Sequence, residues 1–358
     1  MKPNKLKKGD KVAIISLSSG ILGEPFVKHE LDLGVKRMEE FGLIPVFMPN
    51  ALKGIDYIKN NPEARAEDLK QAFADKEIKA IFCAIGGIDS YRTLPYLMND
   101  EDFKNTVKNN PKIFLGFSDS TTTHLMLNKM GLTTFYGQAF LVDLAEFEPD
   151  MLPYSKTAFE CLFNPIANYE IKPSKYWYKD RKDFSPAAVG TLREKFEDTG
   201  YEVLQGSGKT EGKLLGGCIE VLAEYVNAGK TEIQSEINKT IENCNPFPTN
   251  DEWKNAIMLI ETSEEKIAPE NYRKIIKKLK EIGVINQING IIVGKPIDKI
   301  YYEEYKQILK EELAEFNFPI LYNINIGHAY PHTILPLGEV VEIDATNKTL
   351  TIKNSALN

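Results

Sequence analysis

The sequence is poor in the residues that build several common kinds of functional site. Among its 358 residues there are only four cysteines, four histidines and two tryptophans. The cysteines lie far apart and lack the paired spacing of a metal site; they are Cys83, Cys161, Cys218 and Cys244. This pattern indicates reduced thiols in a cytoplasmic protein, and small core residues rather than catalytic ones. No cluster of His, Cys, Asp and Glu has metal-ligand spacing, so we expect no bound metal.

Long apolar runs and an excess of basic residues are also missing. The early apolar run Val12–Leu17 is too short for the core of a signal peptide, and no stretch approaches the length that spans a membrane. The formal net charge is −7. Acidic and basic residues are mixed along the chain, without a basic face or a basic tail. These absences argue against a secreted, membrane-spanning or nucleic acid-binding protein.

Two nucleotide-binding motifs are incomplete. Gly208-Lys209-Thr210 looks like the end of a phosphate-binding P-loop, but Val203 occupies the position of the opening glycine. The glycines at 206, 208 and 212 miss the spacing of a dinucleotide-binding fingerprint, and no such fingerprint follows the first strand. The sequence therefore argues against a P-loop enzyme and against an oxidoreductase that uses a dinucleotide.

What the sequence does contain is a regular alternation of strands and helices. In the first part, strands are predicted over Val12–Leu17, Ile44–Met48, Lys79–Ile85 and Ile113–Phe117, with a helix over Pro62–Ala74. Strands rich in Val and Ile that alternate with helices indicate a parallel sheet covered on both faces. Ligands of such sheets bind outside the carboxyl ends of the strands.

The chain is long enough for two domains. We predict an N-terminal α/β domain over 1–165, a linker and substrate loop over 166–212, and a C-terminal β/α domain over 213–358. The middle segment has little periodicity, which predicts a crossover with long loops of the kind that often serve binding. The last part mixes helices with parallel strands, and it ends in a predicted antiparallel hairpin around Thr346–Lys348.

A serine follows the fourth predicted strand, in a position typical of a catalytic nucleophile. The run Gly116-Phe117-Ser118-Asp119 closes this strand, and a polar stretch that starts a helix follows to Met130. A serine in a tight turn between a strand and a helix is lifted clear of the sheet, and the amides at the helix start face the group that it attacks. Ser118 is therefore the predicted nucleophile, provided that a base can reach it.

The histidines offer few candidates for that base. His328 follows a predicted strand and a glycine, so its ring can face a crevice, and His332 is the alternative. His29 and His124 lie in predicted helices, where we expect a solvated side chain and a surface or packed side chain, respectively.

A carboxylate is expected beside the imidazole, because it fixes the tautomer and stabilises the imidazolium. Glu261 ends the apolar run Ile257–Ile260, and a carboxylate directly after a buried strand requires either a role or a partner. Glu261 is thus a candidate for this role; the alternative is a strand cap held by a salt bridge.

An acyl-transfer reaction also requires two N–H donors for the oxyanion. The amide of Asp119 follows the predicted nucleophile at the start of the helix. The turn Gly86-Gly87 ends the third strand, where the amide of Gly87 can supply the second donor and the lack of side chains allows a substrate to approach. The alternative is a plain turn that ends a strand.

With these residues identified, the whole chain resembles the LD-carboxypeptidase family of serine peptidases. The motifs that carry the resemblance are, in chain order, Leu6–Val12, Pro62–Leu69, Gly86-Gly87, Gly116–Asp119, Glu261 and Gly327-His328. Within the family it is most similar to the microcin C immunity subgroup, through Gly86–Ser90, Leu94–Leu97, Pro173–Trp177 and Gly200–Cys218.

The resemblance implies a fold and a set of roles. It implies an N-terminal flavodoxin-like domain, a C-terminal domain of the swivelling β/α type, a homodimer, and no metal or organic cofactor. The family's nucleophile, glutamate and histidine fall on Ser118, Glu261 and His328. Its oxyanion amides fall on Gly87 and Asp119, and Gly86 belongs to the same substrate-binding turn.

Two substrates are implied, and they stay open. Members that recycle cell wall release D-alanine from muropeptides, and immunity members cut the amide that joins an aminoacyl or peptidyl group to a nucleotide. In that subgroup an aromatic side chain of the long loop stacks on the base, for which Trp177 is a candidate; the alternative is a loop anchor. A hypothesis of another class is a binding protein that holds a small ligand without chemistry.

Overall fold

The computed structural model describes residues 1–229 and 231–358, without the side chains of residues 231 and 232. Its strands are β1 (Lys11–Ile15), β2 (Ile44–Phe47), β3 (Ile78–Cys83), β4 (Ile113–Gly116), β5 (Thr134–Tyr136), β6 (Tyr169–Ile171), β7 (Tyr176–Tyr178), β8 (Lys195–Glu197), β9 (Glu202–Gln205), β10 (Lys209–Cys218), β11 (Ile257–Glu261), β12 (Gly290–Gly294), β13 (Ile320–Ile324), β14 (Leu335–Leu337), β15 (Val340–Asp344) and β16 (Thr349–Ile352).

The α-helices are α1 (Lys28–Glu40), α2 (Ile55–Asn60), α3 (Pro62–Ala74), α4 (Leu94–Leu97), α5 (Glu101–Asn109), α6 (Thr121–Lys129), α7 (Pro153–Glu160), α8 (Ile219–Tyr225), α9 (Thr231–Ile241), α10 (Asn250–Trp253), α11 (Pro269–Glu281) and α12 (Tyr302–Glu312). Among the described residues, none of these helices combines the length and the apolar character that a bilayer crossing requires.

The first sheet has the order β14-β5-β4-β3-β1-β2, and the pairs within β2-β1-β3-β4-β5 are all parallel. This is the flavodoxin-like strand order. Val12 and Ile14 pack on one face with Phe140, whereas Ala13 and Ile15 pack on the other. Alternate burial of successive residues shows that both faces are covered, as the Val- and Ile-rich strands predicted, and α3 has the predicted bounds.

The second sheet has the order β6-β16-β15-β10-β11-β12-β13-β9. Its central strands β10 to β13 are parallel, and the strands on either side pair antiparallel. The first half of β10 pairs with β15 and the second half with β11, so this long strand joins the two arrangements. The predicted hairpin is confirmed as β15 and β16. The fold class, a parallel α/β sheet with a second mixed sheet, is therefore confirmed.

The chain crosses between the two sheets near its end, which the sequence did not reveal. After β13 of the second sheet, residues 325–334 lead to β14, which pairs antiparallel with β5 at the edge of the first sheet. The chain then returns to the second sheet as β15. Because β5 and β14 have three residues each, they are too short to show a periodicity. This crossing segment carries His328 and His332 to the edge of the first sheet.

The segment over 166–212, expected to consist of long loops, contributes four short strands. Of these, β6 and β9 form the two edges of the second sheet, and β7 pairs with β8. Asp198 anchors the segment, because its buried carboxylate binds the Lys295 ammonium and accepts a 2.9 Å hydrogen bond from Asn323. The domain boundaries at 165 and 212 remain a prediction.

Candidate active site

Ser118 begins a 3-10 turn directly after β4, with a φ of 62°. This left-handed conformation is costly for a residue with a side chain, and it persists only where the surroundings enforce it. The Ser118 amide donates a 3.1 Å hydrogen bond to the Tyr136 hydroxyl, and its carbonyl accepts a 2.7 Å bond from Thr121. The turn presents Ser118 to two cavities, of about 770 and 410 Å³, which we call the large and the small cavity.

Gly86 and Gly87 form the facing wall. A Cβ on Gly86 would lie 2.8 Å from the Ser118 Cβ and 2.9 Å from its Oγ, with the Asp119 amide nitrogen at 3.5 Å. Gly87 has a φ of 153°, and a Cβ there would overlap the Ser18 hydroxyl at 2.1 Å. Side chains are therefore excluded at both positions, and the space beside Ser118 stays open to a small group such as a carbonyl oxygen.

The side chain of Asp119 fastens this wall in place. Its buried carboxylate accepts hydrogen bonds from the Ser18 hydroxyl and the Ser90 amide, while its backbone carbonyl accepts a 2.8 Å bond from the Ser90 hydroxyl. Burial raises the pKa of this carboxyl group, and the hydrogen bonds from Ser18 and Ser90 oppose that rise. The sequence predicted a role for the Asp119 amide only. The carboxylate in addition ties together the segments that follow β1, β3 and β4.

Glu261 and His328 form a direct pair. Glu261 is the last residue of β11, and its Oε2 lies 2.7 Å from His328 Nδ1. Both side chains are buried. A Cβ on Gly327 would lie 2.2 Å from Glu261 Oε2, so the glycine before the histidine leaves room for this carboxylate. Ser118 and His328 line the same small cavity. The structure thus brings the three predicted side chains to one place.

Tyr136 links the pair to the serine, and sequence reasoning missed it. Its hydroxyl donates a 2.6 Å hydrogen bond to Glu261 Oε1 and accepts the bond from the Ser118 amide. Burial, and then the charge of Glu261, raise the pKa of this phenol, so it stays a donor. Tyr136 lies at the end of a three-residue strand, without a motif around it that could have revealed the contact.

Replacing Tyr136 with phenylalanine is expected to disturb this connection. The change leaves the Ser118 amide and Glu261 Oε1 without their partner, which costs about 1–3 kcal/mol of stability for an unsatisfied buried group. A displaced nucleophile or base lowers kcat/KM by roughly 10- to 100-fold. Tyr225→Phe is the matched control, because it removes one buried bond to Thr122 away from the cavities. Equal activity losses in both variants would contradict the role of Tyr136.

The second ring nitrogen of His328 is also bound. Glu264, in the loop after β11, places Oε2 3.0 Å from Nε2, and its side chain is 64% exposed. Burial alone would lower the pKa of His328, but the charges and hydrogen bonds of Glu261 and Glu264 outweigh it and raise the pKa to about 10. The sequence offered no sign of this contact, because Glu264 stands in a polar loop like any surface glutamate.

His332 and His124 have different hydrogen-bond partners from His328. His332, which lines the small cavity, has its Nδ1 2.8 Å from Asp143 Oδ1 and so belongs to a second carboxylate–imidazole pair. The ring of Phe117 lies between the two imidazoles, with centroids 5.0 Å from His328 and 5.4 Å from His332. His124 is buried within 3.1 Å of the Gly116 carbonyl, and burial lowers its pKa to about 3. It is therefore a packed residue of the core.

The small cavity is walled in part by the segment over 166–212. Arg193 lies with its guanidinium 3.7 Å from the centroid of the Tyr330 ring, and it forms a buried ion pair with Glu146. Arg181 binds the same glutamate at 3.3 Å. Phe147 and Phe184 add apolar surface. The cavity beside Ser118 thus combines aromatic rings with a partly neutralised positive charge.

Trp177 occupies another place. It lies in β7, with its ring stacked on Phe196 at 4.5 Å and 17°. It is not among the lining residues of the large or the small cavity. The stacking of a base on Trp177 therefore remains a prediction. No group of three or more His, Cys, Asp or Glu side chains placed to hold a metal ion occurs within the described ranges.

Comparisons with known proteins match this architecture. Residues 12–137 match the model of the LD-carboxypeptidase N-terminal domain, and residues 211–343 match that of the LD-carboxypeptidase C-terminal domain. The chain belongs to the LD-carboxypeptidase family. Each matched region contains one part of the site, since Ser118 lies in the first and Glu261 and His328 lie in the second.

Relatives of this LD-carboxypeptidase family member carry two kinds of name. A Bacillus subtilis protein named "Probable murein peptide carboxypeptidase" is 26% identical over 98% of this chain and 94% of its own. The Microcin C7 self-immunity protein MccF of Escherichia coli is 26% identical over 84% of this chain and 81% of its own. These names support a peptidase.

Solved structures extend the comparison. A MccF-like protein from Streptococcus pneumoniae in complex with AMP is 46% identical, with a TM-score of 0.89, over 96% of this chain and 99% of that one. A MccF-like protein from Bacillus anthracis is 25% identical, with a TM-score of 0.82, over 99% of both chains. The resemblance to the LD-carboxypeptidase family that the sequence motifs carry is therefore confirmed.

Proposed function

We propose that this family member is a serine amidohydrolase with Ser118 as nucleophile, His328 as general base and Glu261 as the group that holds the imidazole. The observation that carries this proposal is the 2.7 Å contact between Glu261 and His328 Nδ1 at the cavity that Ser118 lines. Glu261 accepts a hydrogen bond from the Nδ1–H group, so His328 Nε2 is the nitrogen that takes the proton of the serine.

The reaction takes two steps. Ser118 Oγ forms a bond to the amide carbon while its proton passes to His328 Nε2, and that proton then goes to the nitrogen of the leaving amine as the C–N bond breaks. A water molecule, deprotonated by the same nitrogen, then attacks the acyl carbon; the ester bond to Ser118 Oγ breaks, the serine regains its proton from His328, and the carboxylic acid is released. The amides of Gly87 and Asp119 bind the oxyanion in both steps, where each donor contributes roughly 2.7–4 kcal/mol to the stabilisation of the transition state.

For the substrate, we propose an amide that joins an aminoacyl or peptidyl group to a nucleotide. The 46% identical neighbour was solved with AMP, which supports a nucleotide as one half of the substrate. Two cavities that meet at Ser118 suit a molecule with two parts on either side of a scissile bond. The second candidate is a muropeptide that loses D-alanine, favoured by the name of the Bacillus subtilis relative.

An assay of both substrates on the purified protein tests this proposal. We expect hydrolysis of an aspartyl-sulfamoyl-adenosine-type amide with a kcat/KM at least about tenfold above that for a muropeptide tetrapeptide, a difference of about 1.4 kcal/mol. Exclusive release of D-alanine would reject the nucleotide substrate and retain the hydrolase. Binding of either compound without turnover, together with no reaction of Ser118 with a serine probe, would favour a binding protein.

A further inference from the structure

Both ring nitrogens of His328 are bound by carboxylates. Glu261 holds Nδ1 at 2.7 Å and Glu264 holds Nε2 at 3.0 Å. A neutral imidazole carries one N–H group, and a carboxylate accepts but does not donate. Two such contacts at once therefore require both nitrogens to carry a proton. In this arrangement the ring is an imidazolium and has no lone pair to receive the proton of Ser118.

We propose that Glu264 is a positioning residue that keeps His328 in a protonated resting state and that must leave Nε2 before Ser118 can react. The inference rests on the proposed function, because it concerns the same base. It adds that the position of Glu264 determines when His328 becomes available as a base. Glu264 binds Nε2, the nitrogen that must accept the proton of Ser118 and then donate it to the leaving amine.

Glu264 is placed so that a substrate can displace it. Its side chain is 64% exposed, in contrast to that of Glu261, which is fully buried. Glu264 lines both the large and the small cavity, as Ser118 does, so it lies where the two parts of a substrate would meet. Water reaches the exposed Glu264 carboxylate, which screens its attraction to the buried imidazole. A substrate that fills both cavities would therefore compete with Glu264 for the space beside Nε2, whereas a small electrophile would not.

The remaining charges around His328 do not replace this contact. Across the small cavity, Glu146 pairs with both Arg181 and Arg193, which neutralises part of their charge. From β5, Tyr136 acts on the ring through Glu261. The other titratable side chains that line the small cavity are Glu30, Asp180, Tyr330 and His332. Glu264 is the carboxylate with a direct contact to Nε2, so its charge is the one to remove.

The rate of Ser118 phosphonylation by a small fluorophosphonate, measured against pH, tests the inference. In this reaction the Ser118 Oγ–P bond forms, fluoride leaves, and the serine proton passes to His328 Nε2. We expect Glu264→Gln to move the acidic limb of the profile down by about one pH unit, which makes labelling about tenfold faster at neutral pH. The matched control is Glu270→Gln, which removes an exposed carboxylate in the first turn of α11 that lines neither cavity, and it should leave the profile unchanged.

A second readout does not depend on turnover. NMR spectra recorded against pH follow the protonation of the His328 imidazole, and its midpoint should fall in Glu264→Gln and stay in Glu270→Gln. Superimposable profiles and equal midpoints in wild type and Glu264→Gln would overturn the inference while leaving the proposed function intact. Labelling that persists in Ser118→Ala would instead show that the proposed nucleophile is wrong. For the intact substrate the gain in Glu264→Gln should be smaller than for the probe, because the substrate displaces the carboxylate itself.

Discussion

Replacing Ser118 with alanine is expected to lower kcat/KM for the amide substrate by roughly 10⁴- to 10⁶-fold, the range found when the nucleophile of a serine triad is removed. The loss arises because His328 and the oxyanion amides then have no oxygen to activate. The fold should stay intact, since the turn is held by the backbone of Ser118 through Tyr136 and Thr121 rather than by its hydroxyl. Binding of a nucleotide ligand, measured by calorimetry, should therefore remain.

Ser120 offers the matched control for this experiment. It lies in the same turn, but its hydroxyl donates a 2.8 Å hydrogen bond to the Phe117 carbonyl and is buried. Ser120→Ala should keep kcat/KM within about tenfold of wild type, because it removes one neutral hydrogen bond and no reacting group. Turnover by Ser118→Ala at the wild-type rate would refute the assignment of the nucleophile.

The second large effect is expected from Glu261→Gln. The glutamine can still accept the bond from Tyr136, but its amide group then faces His328 Nδ1 as a donor. Nδ1 must accept this bond, so the proton of the neutral ring moves to Nε2 and the base cannot receive the serine proton. In an analogous triad, this change of tautomer costs about 10⁴-fold in kcat. We expect a similar loss here, with a fold that circular dichroism does not distinguish from wild type.

The second carboxylate–imidazole pair provides the comparison. Asp143→Asn makes the same chemical change beside His332, whose ring lines the same cavity. Because His332 takes no part in the proposed proton transfer, kcat should fall far less than in Glu261→Gln. A larger loss in Asp143→Asn than in Glu261→Gln would mean that the base is His332, the alternative that the sequence left open.

The parts of the site that lie at strand ends could be predicted from the sequence. Ser118 and Gly87 follow buried apolar strands and Glu261 is the last residue of one, and parallel strands bring such ends to one edge of a sheet. The parallel pairing within the first sheet also follows from local patterns, since its strands alternate with helices, whereas the flavodoxin-like fold was implied by the family resemblance. For these residues a local signal, the end of an apolar run at a polar or glycine residue, coincides with a position in the proposed site.

Contacts between distant segments could not be predicted in this way. Tyr136 and Glu261 belong to different sheets, so their hydrogen bond depends on how the two sheets pack against each other. A strand of three residues leaves no periodic pattern. The contact of Glu264 with His328 depends in addition on a loop conformation that composition does not fix. The protonation state of the base is therefore a property of the folded structure alone.

The central claim is that the hydroxyl of Ser118 is activated by the imidazole of His328, which comes from the C-terminal part of the chain. Peptide mass spectrometry after treatment with a small fluorophosphonate tests it most directly, at alkaline pH, where the imidazolium held by Glu264 loses its proton. The predicted result is a single adduct per chain, located on Ser118 and absent in His328→Ala. An unmodified Ser118, or an adduct on Ser118 that forms equally fast without His328, would contradict the claim.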